Sequence, residues 1–213
     1  MPSSSQWLAF LLASILFIQV PGPSLLFTIG RALTVGRRDA LLSVLGNGLG
    51  LMIQIVLVAV GLGAVVAASA EAYLVIKLVG AAYVVYLGVQ AIRHRGDARL
   101  AMDAAADAPP RRSTALQSVR TGVIVGTTNP KTIVFFVAFL PQFTNGSSGS
   151  PGAAIAVLGV VFGAMAVMSD SIWALAASRA RDWFSRRPQR LDRLGVAGGL
   201  MMIGLGATLV ATE

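Results

Sequence analysis

The chain has 213 residues, of which 55% are hydrophobic and only 12% charged, and its mean hydropathy is +0.75; that leaves too little polar side chain to cover a soluble globule of this length. With no cysteine, disulfides, thiolate metal sites and thiol redox chemistry are excluded. A net charge of +8 and a pI near 11.3 would suit nucleic-acid binding in a soluble protein, but here the arginines fall in or at the edge of alternate breaks between apolar stretches, as in the cytoplasmic loops of a polytopic membrane protein, so lipid rather than nucleic acid is the expected partner.

Six apolar stretches reach the roughly 20 residues needed to cross a hydrocarbon core of about 30 Å. The first, Trp7 to Gly30, has no basic residue before it and reads as a retained span rather than a cleaved signal peptide. It is interrupted by Pro21-Gly22-Pro23 and followed by Arg31, Arg37 and Arg38. The second, Ala40 to Ala68, contains Gly46-Asn47-Gly48; with no strand before it, this is not a dinucleotide fingerprint. The third, Tyr73 to Ile92, carries Lys77, whose distance from Arg93 puts it towards the outer interface, where it is expected to snorkel as an anchor near Glu71.

A polar linker, residues 93–118, then divides one transporter domain into halves 1–92 and 119–213. It carries Arg93, Arg95, Arg99, Arg111 and Arg112, the lone histidine His94, and Pro109-Pro110, with Arg120 just beyond. The fourth stretch, Thr121 to Phe143, is interrupted by Asn129-Pro130-Lys131, and the uncharged TNGSSGSP from Thr144 to Pro151 reads as a tight turn. The fifth, Ala153 to Ser178, carries Asp170. A third basic cluster, Arg179, Arg181, Arg186, Arg187, Arg190 and Arg193, leads into the sixth, Leu194 to Ala211.

The expected fold is therefore all-α: six transmembrane helices with the arginine loops cytoplasmic. Three spans per half make the second half enter the membrane in the opposite direction to the first, so any repeat is inverted. Proline interrupts the first span of each half, and Gly22 and Pro130 lie 108 residues apart, near half the chain length. Paired interruptions of this kind point to an inverted-repeat carrier with its site at the repeat interface.

Depth can be counted from the basic boundaries at 1.5 Å per helical residue. Gly22, Asn47, Pro130 and Asp170 each lie nine or ten residues from the nearest arginine boundary, about 15 Å in, near the midplane. Pro21 and Pro23 cannot donate to the carbonyls of Phe17 and Gln19, nor Pro130 to that of Gly126, which leaves carbonyls for a cation or ammonium. The helix starts after each break, at Ser24, Leu25 and Leu26 and at Lys131, Thr132 and Ile133, present amides to an anion. A zwitterionic amino acid carries both charges.

Asp170 and Lys131 are the ionisable residues near the midplane, where such groups are expensive and call for a partner, a wet cavity or a role. They either pair with each other or act on substrate, Asp170 by holding the ammonium or by exchanging the proton that coupled transport needs. Asn47 and Asn129 are oriented amide contacts or interhelical glue. GxxxG spacings at Gly46/Gly50, Gly122/Gly126, Gly159/Gly163 and Gly195/Gly199 read as close helix packing, within the monomer or in a homodimer. No phosphate loop, catalytic triad or metal-spaced cluster occurs, so neither an enzyme nor a cofactor is expected, and transport would draw on a gradient.

The segments Pro21-Gly22-Pro23-Ser24, Gly46 to Gly50, IKLVGAAYVVYLGVQAIR from Ile76 to Arg93, and Asn129-Pro130-Lys131 followed by FFVAFLPQF to Phe143 resemble the LysE/RhtB family of bacterial amino-acid exporters, over nearly the whole chain. The resemblance implies a bacterial inner-membrane exporter of amino acids or related metabolites that exchanges substrate for protons. Pro21, Gly22, Pro23, Asn129, Pro130 and Lys131 fall on family-motif positions, and Asp170 fits. A single carboxylate near the midplane favours neutral substrates such as threonine, homoserine or branched aliphatic amino acids over basic ones. A passive metabolite channel is the rival reading, and polar groups gathered at one depth between apolar halves argue against it.

Overall fold

The computed structural model describes residues 3–20, 22–96, 100, 113–144, 150–185 and 189–211, and every regular element among them is helical. α1 (Ser4–Gln19) opens on a capping box in which the Gln6 amide donates to Ser3 Oγ and the Ser3 amide to Gln6 Oε1. It stops where the chain reaches prolines with no N–H to give. α2 (Pro23–Thr34) restarts with Pro23 in its first turn, where a missing N–H costs nothing. The two axes differ by 50°.

Gly36, at φ 89°, is the one residue with positive φ among those described, and it turns the chain into α3 (Arg37–Ala68); a Cβ there would be strained. Ser69 caps α4 (Ala70–Arg93) by accepting from the Ala72 amide. A Thr114/Gln117 capping box starts α5 (Ala115–Thr128). Asn129 both ends α5 and caps α6 (Pro130–Ala138), and these axes differ by 45°. A 3-10 turn (Leu140–Thr144), α7 (Pro151–Ser185) and α8 (Gln189–Ala211) complete the order.

Arg37–Gly61 of α3, Leu74–Arg93 of α4 and Pro151–Ala177 of α7 are long and apolar enough to cross a membrane, and the bent pairs α1/α2 and α5/α6 each qualify as one broken span. The protein is thus a polytopic helical membrane protein, and its broken spans are the two with prolines in their interior. Among the described residues, three unbroken helices meet the length criterion, and five spans do if each bent pair is one span. α8 covers the sixth expected span, but its apolar stretch, Gly195–Thr208, is shorter than a full crossing. Pro21, Pro109-Pro110 and the arginines 99, 111, 112, 186 and 187 lie outside the described residues, as does 145–149 of the expected turn.

α3 packs along α5 on one side and α7 on the other, while α4 packs along α8 and against α6. Glycines set the closest approaches. A Cβ at Gly46 would run into the Val119 carbonyl, and one at Gly126 into that of Asn47. Gly159 and Gly163 lie against Ile55 and Met52, and Gly88 and Gly199 face each other's carbonyls. All four GxxxG pairs are therefore used within one chain, Gly195 lying against Arg95. They offer a second copy no unoccupied face, which removes the ground on which a homodimer was expected. The core of Phe10, Phe17, Phe135, Phe136, Phe139 and Phe162 fills the space beside the two breaks.

Lys77 departs from expectation. It is 7% exposed, because it shares the buried stripe of α4 with Ala81, Val84 and Gly88 at i+4, i+7 and i+11.

Candidate functional site

The two breaks meet. The Lys131 side chain, from the first turn of α6, reaches the end of α1 and donates from Nζ to the carbonyl of Phe17 at 2.7 Å and of Val20 at 2.6 Å. Nζ also lies 4.6 Å from the centroid of the Phe17 ring, within cation–π range. Pro21 brings no N–H to the Phe17 carbonyl, which accepts from the Val20 amide at 3.3 Å and keeps room for a cation beside it. In this structure the cation is the protein's own lysine, and the second carbonyl is that of Val20 rather than Gln19.

The second break is satisfied differently. Pro130 cannot serve the Gly126 carbonyl, and the Lys131 amide, which would serve Thr127, donates instead to Asn129 Oδ1 at 3.1 Å. Gln54 Nε2, from α3, donates to both orphans, Gly126 O at 2.8 Å and Thr127 O at 2.9 Å, and more distantly to Asn129 O. Its Oε1 accepts from the Thr132 hydroxyl at 2.8 Å. Gln54 was not singled out from the sequence. The signal was there: a lone amide in an apolar run, seven residues after Asn47 and so on the same face of α3.

Asp170, 5% exposed on α7, accepts at Oδ2 from Ser24 Oγ at 3.0 Å and from Asn47 Nδ2 at 3.2 Å, and Asn47 Nδ2 also donates to Ser24 Oγ at 2.6 Å. Three helices, α2, α3 and α7, are tied at one carboxylate. The hydrogen bonds of Asp170 and Lys131 thus go to other groups, not to each other. Gly22 caps α2 without any side-chain hydrogen bond, whereas Asn129 closes the start of α6. Of the two helix starts, only that of α2 is left without a capping side chain for an anion to replace.

Two cavities adjoin. A chamber of about 30 Å³ is lined by Phe17, Gly22, Ser24, Asn129, Lys131 and Asp170 among others, room for one or two waters. A crevice of about 530 Å³ runs between α2, α4, α6 and α8, from Pro23, Pro130 and Lys131 past Tyr83, Leu87 and Gln90 to His94 and Arg95. Of the residues expected at the site, Gly22, Ser24, Asn129, Lys131 and Asp170 face the chamber, while Pro23 and Pro130 face the crevice, with Gly22 and Lys131 bordering both. Asn47 lines neither and reaches the chamber through Ser24 and Asp170. Pro21 lies outside the described residues.

The profile of the LysE type translocator family matches residues 15–213. The chain belongs to this family. The translocator is 36% identical, over 97% of each chain, to an uncharacterized membrane protein of Vibrio cholerae. It is 33% identical, again over 97% of each, to the homoserine/homoserine lactone efflux protein of Salmonella typhimurium. To the leucine efflux protein of Klebsiella pneumoniae it is 24% identical over 97% of this chain and 95% of the relative. No solved structure matches the chain.

Nearer the arginine boundary of the translocator, partly buried Arg31 ties α2 to α3 and to the start of α5. Its Nε donates to Ser43 Oγ at 3.1 Å and one terminal nitrogen to Ser113 Oγ at 3.2 Å and Ser118 Oγ at 2.7 Å. In the sequence Arg31 reads only as a topological marker, because its serine partners are 12 to 87 residues away.

Proposed function

We propose that this translocator exports amino acids or closely related amine-bearing metabolites across the bacterial inner membrane, by alternating access and in exchange for protons carried by Asp170. The observation that carries the reading is the convergence of two proline breaks and one buried carboxylate, from separate helices, on a single chamber. In this reading the substrate carboxylate faces the uncapped start of α2 at Ser24 and Leu25. Its ammonium lies towards Asp170 and the carbonyls of Phe17 and Val20.

Homoserine, its lactone and leucine, which name the relatives, share a primary amine, whereas only two of the three have a free carboxylate. Ammonium recognition is then the common requirement, and a single chamber carboxylate suits neutral substrates such as threonine, homoserine or branched aliphatic amino acids. The arginine loops are cytoplasmic by the basic-residue bias, and halves 1–92 and 119–213 form inverted repeats around the two bends. On that orientation the crevice, with His94 and Arg95 at one end, opens to the cytoplasm, the loading side of an exporter. A chamber with room for a water or two, bordered by Lys131, favours a carrier over an open channel.

The test uses purified protein in lipid vesicles loaded with L-homoserine, L-threonine, L-leucine or L-lysine. Saturable counterflow of the neutral substrates, and net movement when a pH gradient is imposed, are expected. Flux that rises linearly with concentration and ignores the gradient would replace the carrier by a channel.

A further inference from the structure

We propose that Lys131 is a tethered ammonium that occupies the Phe17 and Val20 carbonyls in the unloaded protein and closes the passage between crevice and chamber, so that a substrate amine reaches those carbonyls only by displacing it. This rests on reading the chamber as the substrate site.

Four observations converge on this role. The Lys131 side chain borders both cavities, together with Gly22. Its ammonium has three donors, and two of them end on carbonyls that any other primary ammonium can accept from equally well. The chamber beyond is too small for an amino acid as it stands. Finally, Gly22 has φ −141° and ψ −176°, extended values open to any residue, so its backbone does not demand glycine. What demands it is the lysine: a Cβ at Gly22 would lie 2.8 Å from Lys131 Cδ and 3.4 Å from Nζ.

A lysine held only for stability would gain from a carboxylate hydrogen-bonded to it directly, rather than one across the chamber as Asp170 is, and from a closed wall. Here it reaches past a glycine to backbone oxygens, on a flexible stem, between two open volumes. The carbonyls lose no partner when substrate arrives, because one ammonium replaces another. Lys131 then moves into the crevice, the larger space, and returns when the substrate leaves.

The absence of cysteine makes access measurable. Ala166, on the chamber wall and buried, is changed to cysteine, and its rate of reaction with 2-aminoethyl methanethiosulfonate is read in detergent against exposed Ser150→Cys. Adding Gly22→Ala, which pushes the lysine aside, or Lys131→Ala, which removes it, is expected to raise the Ala166→Cys rate about tenfold or more, the change that losing a charge-assisted hydrogen bond produces. Gly22→Ala should also lower the half-saturating L-homoserine concentration for counterflow, since the competitor is gone. Unchanged labelling in both variants overturns the proposal. If labelling accelerates but the wild type moves none of L-homoserine, L-threonine, L-leucine and L-lysine, the export reading fails while the displaceable lysine stands.

Discussion

Replacing Gln54 by leucine removes one amide and keeps the volume and the apolar surroundings of α3. The loss is concentrated on the carbonyls of Gly126 and Thr127, which the proline break has deprived of helical partners and which Gln54 alone serves among the described contacts. The Asn129 carbonyl keeps the Ile133 amide and the Thr132 hydroxyl, so two orphans remain. Hydrogen bonds between membrane helices average about 0.6 kcal/mol and reach about 1.7, which gives roughly 1–3 kcal/mol for two. For a chain of this size each kcal/mol moves the melting temperature by about 2–4 °C. Gln54→Leu should therefore lower it by about 2–12 °C, read by tryptophan fluorescence of the purified protein in detergent. Gln54→Glu should lose the same donors when ionised. A Gln54→Leu midpoint within about 1 °C of wild type would mean that water or a shift of the bend satisfies both carbonyls, and that Gln54 does not hold the second break.

Gly126→Leu forces α3 and α5 apart at the Asn47 carbonyl and should yield no monodisperse peak in size-exclusion chromatography, whereas Gly30→Ala meets nothing within 4 Å in the interior of α2 and should stabilise by up to about 1 kcal/mol. A destabilised Gly30→Ala would show that the position packs against something other than lipid. Arg31→Lys keeps the charge but loses the planar fork that reaches three serines; melting should fall by a few degrees, and an unchanged midpoint would make the serines independent of it. Asp170→Asn keeps an acceptor for Ser24 and Asn47 but carries no exchangeable proton. It should lose net movement driven by a pH gradient and, with no carboxylate to hold the ammonium, need a higher L-homoserine concentration for counterflow; gradient-driven movement at the wild-type rate would remove Asp170 from coupling.

Most span positions and the two breaks are legible in the sequence because each rests on local chemistry: hydropathy over about 20 residues and a missing N–H. What takes up the freed groups is not legible in that way. The Phe17 carbonyl is predicted to be free, but its occupant, Lys131, comes from 114 residues away. The orphan at Gly126 is predicted too, yet Gln54 reaches it across 72 residues from a different helix. Lys77 fails for the same reason, since distance from an arginine boundary gives depth but not the side of the helix. The stripe 77–81–84–88 would have given the side.

The manner in which each break is satisfied separates their roles. At the second, a neutral amide fixed in α3 bonds to both orphans, the new helix is capped by its own asparagine, and the glycines of α3 and α5 lock the backbones in contact. Every partner there is a short side chain or backbone, and moving one exposes another. The first break has no capping side chain on its new helix, and its carbonyls are held by the end of a long, flexible lysine beside a glycine. A substrate amine can replace that partner without leaving a carbonyl bare, whereas nothing in a zwitterionic amino acid replaces the Gln54 amide so directly. Two breaks alike in sequence thus differ in what would free them, and on the proposed export reading binding energy from a small amine would act on the first, with the second as the rigid side of the chamber.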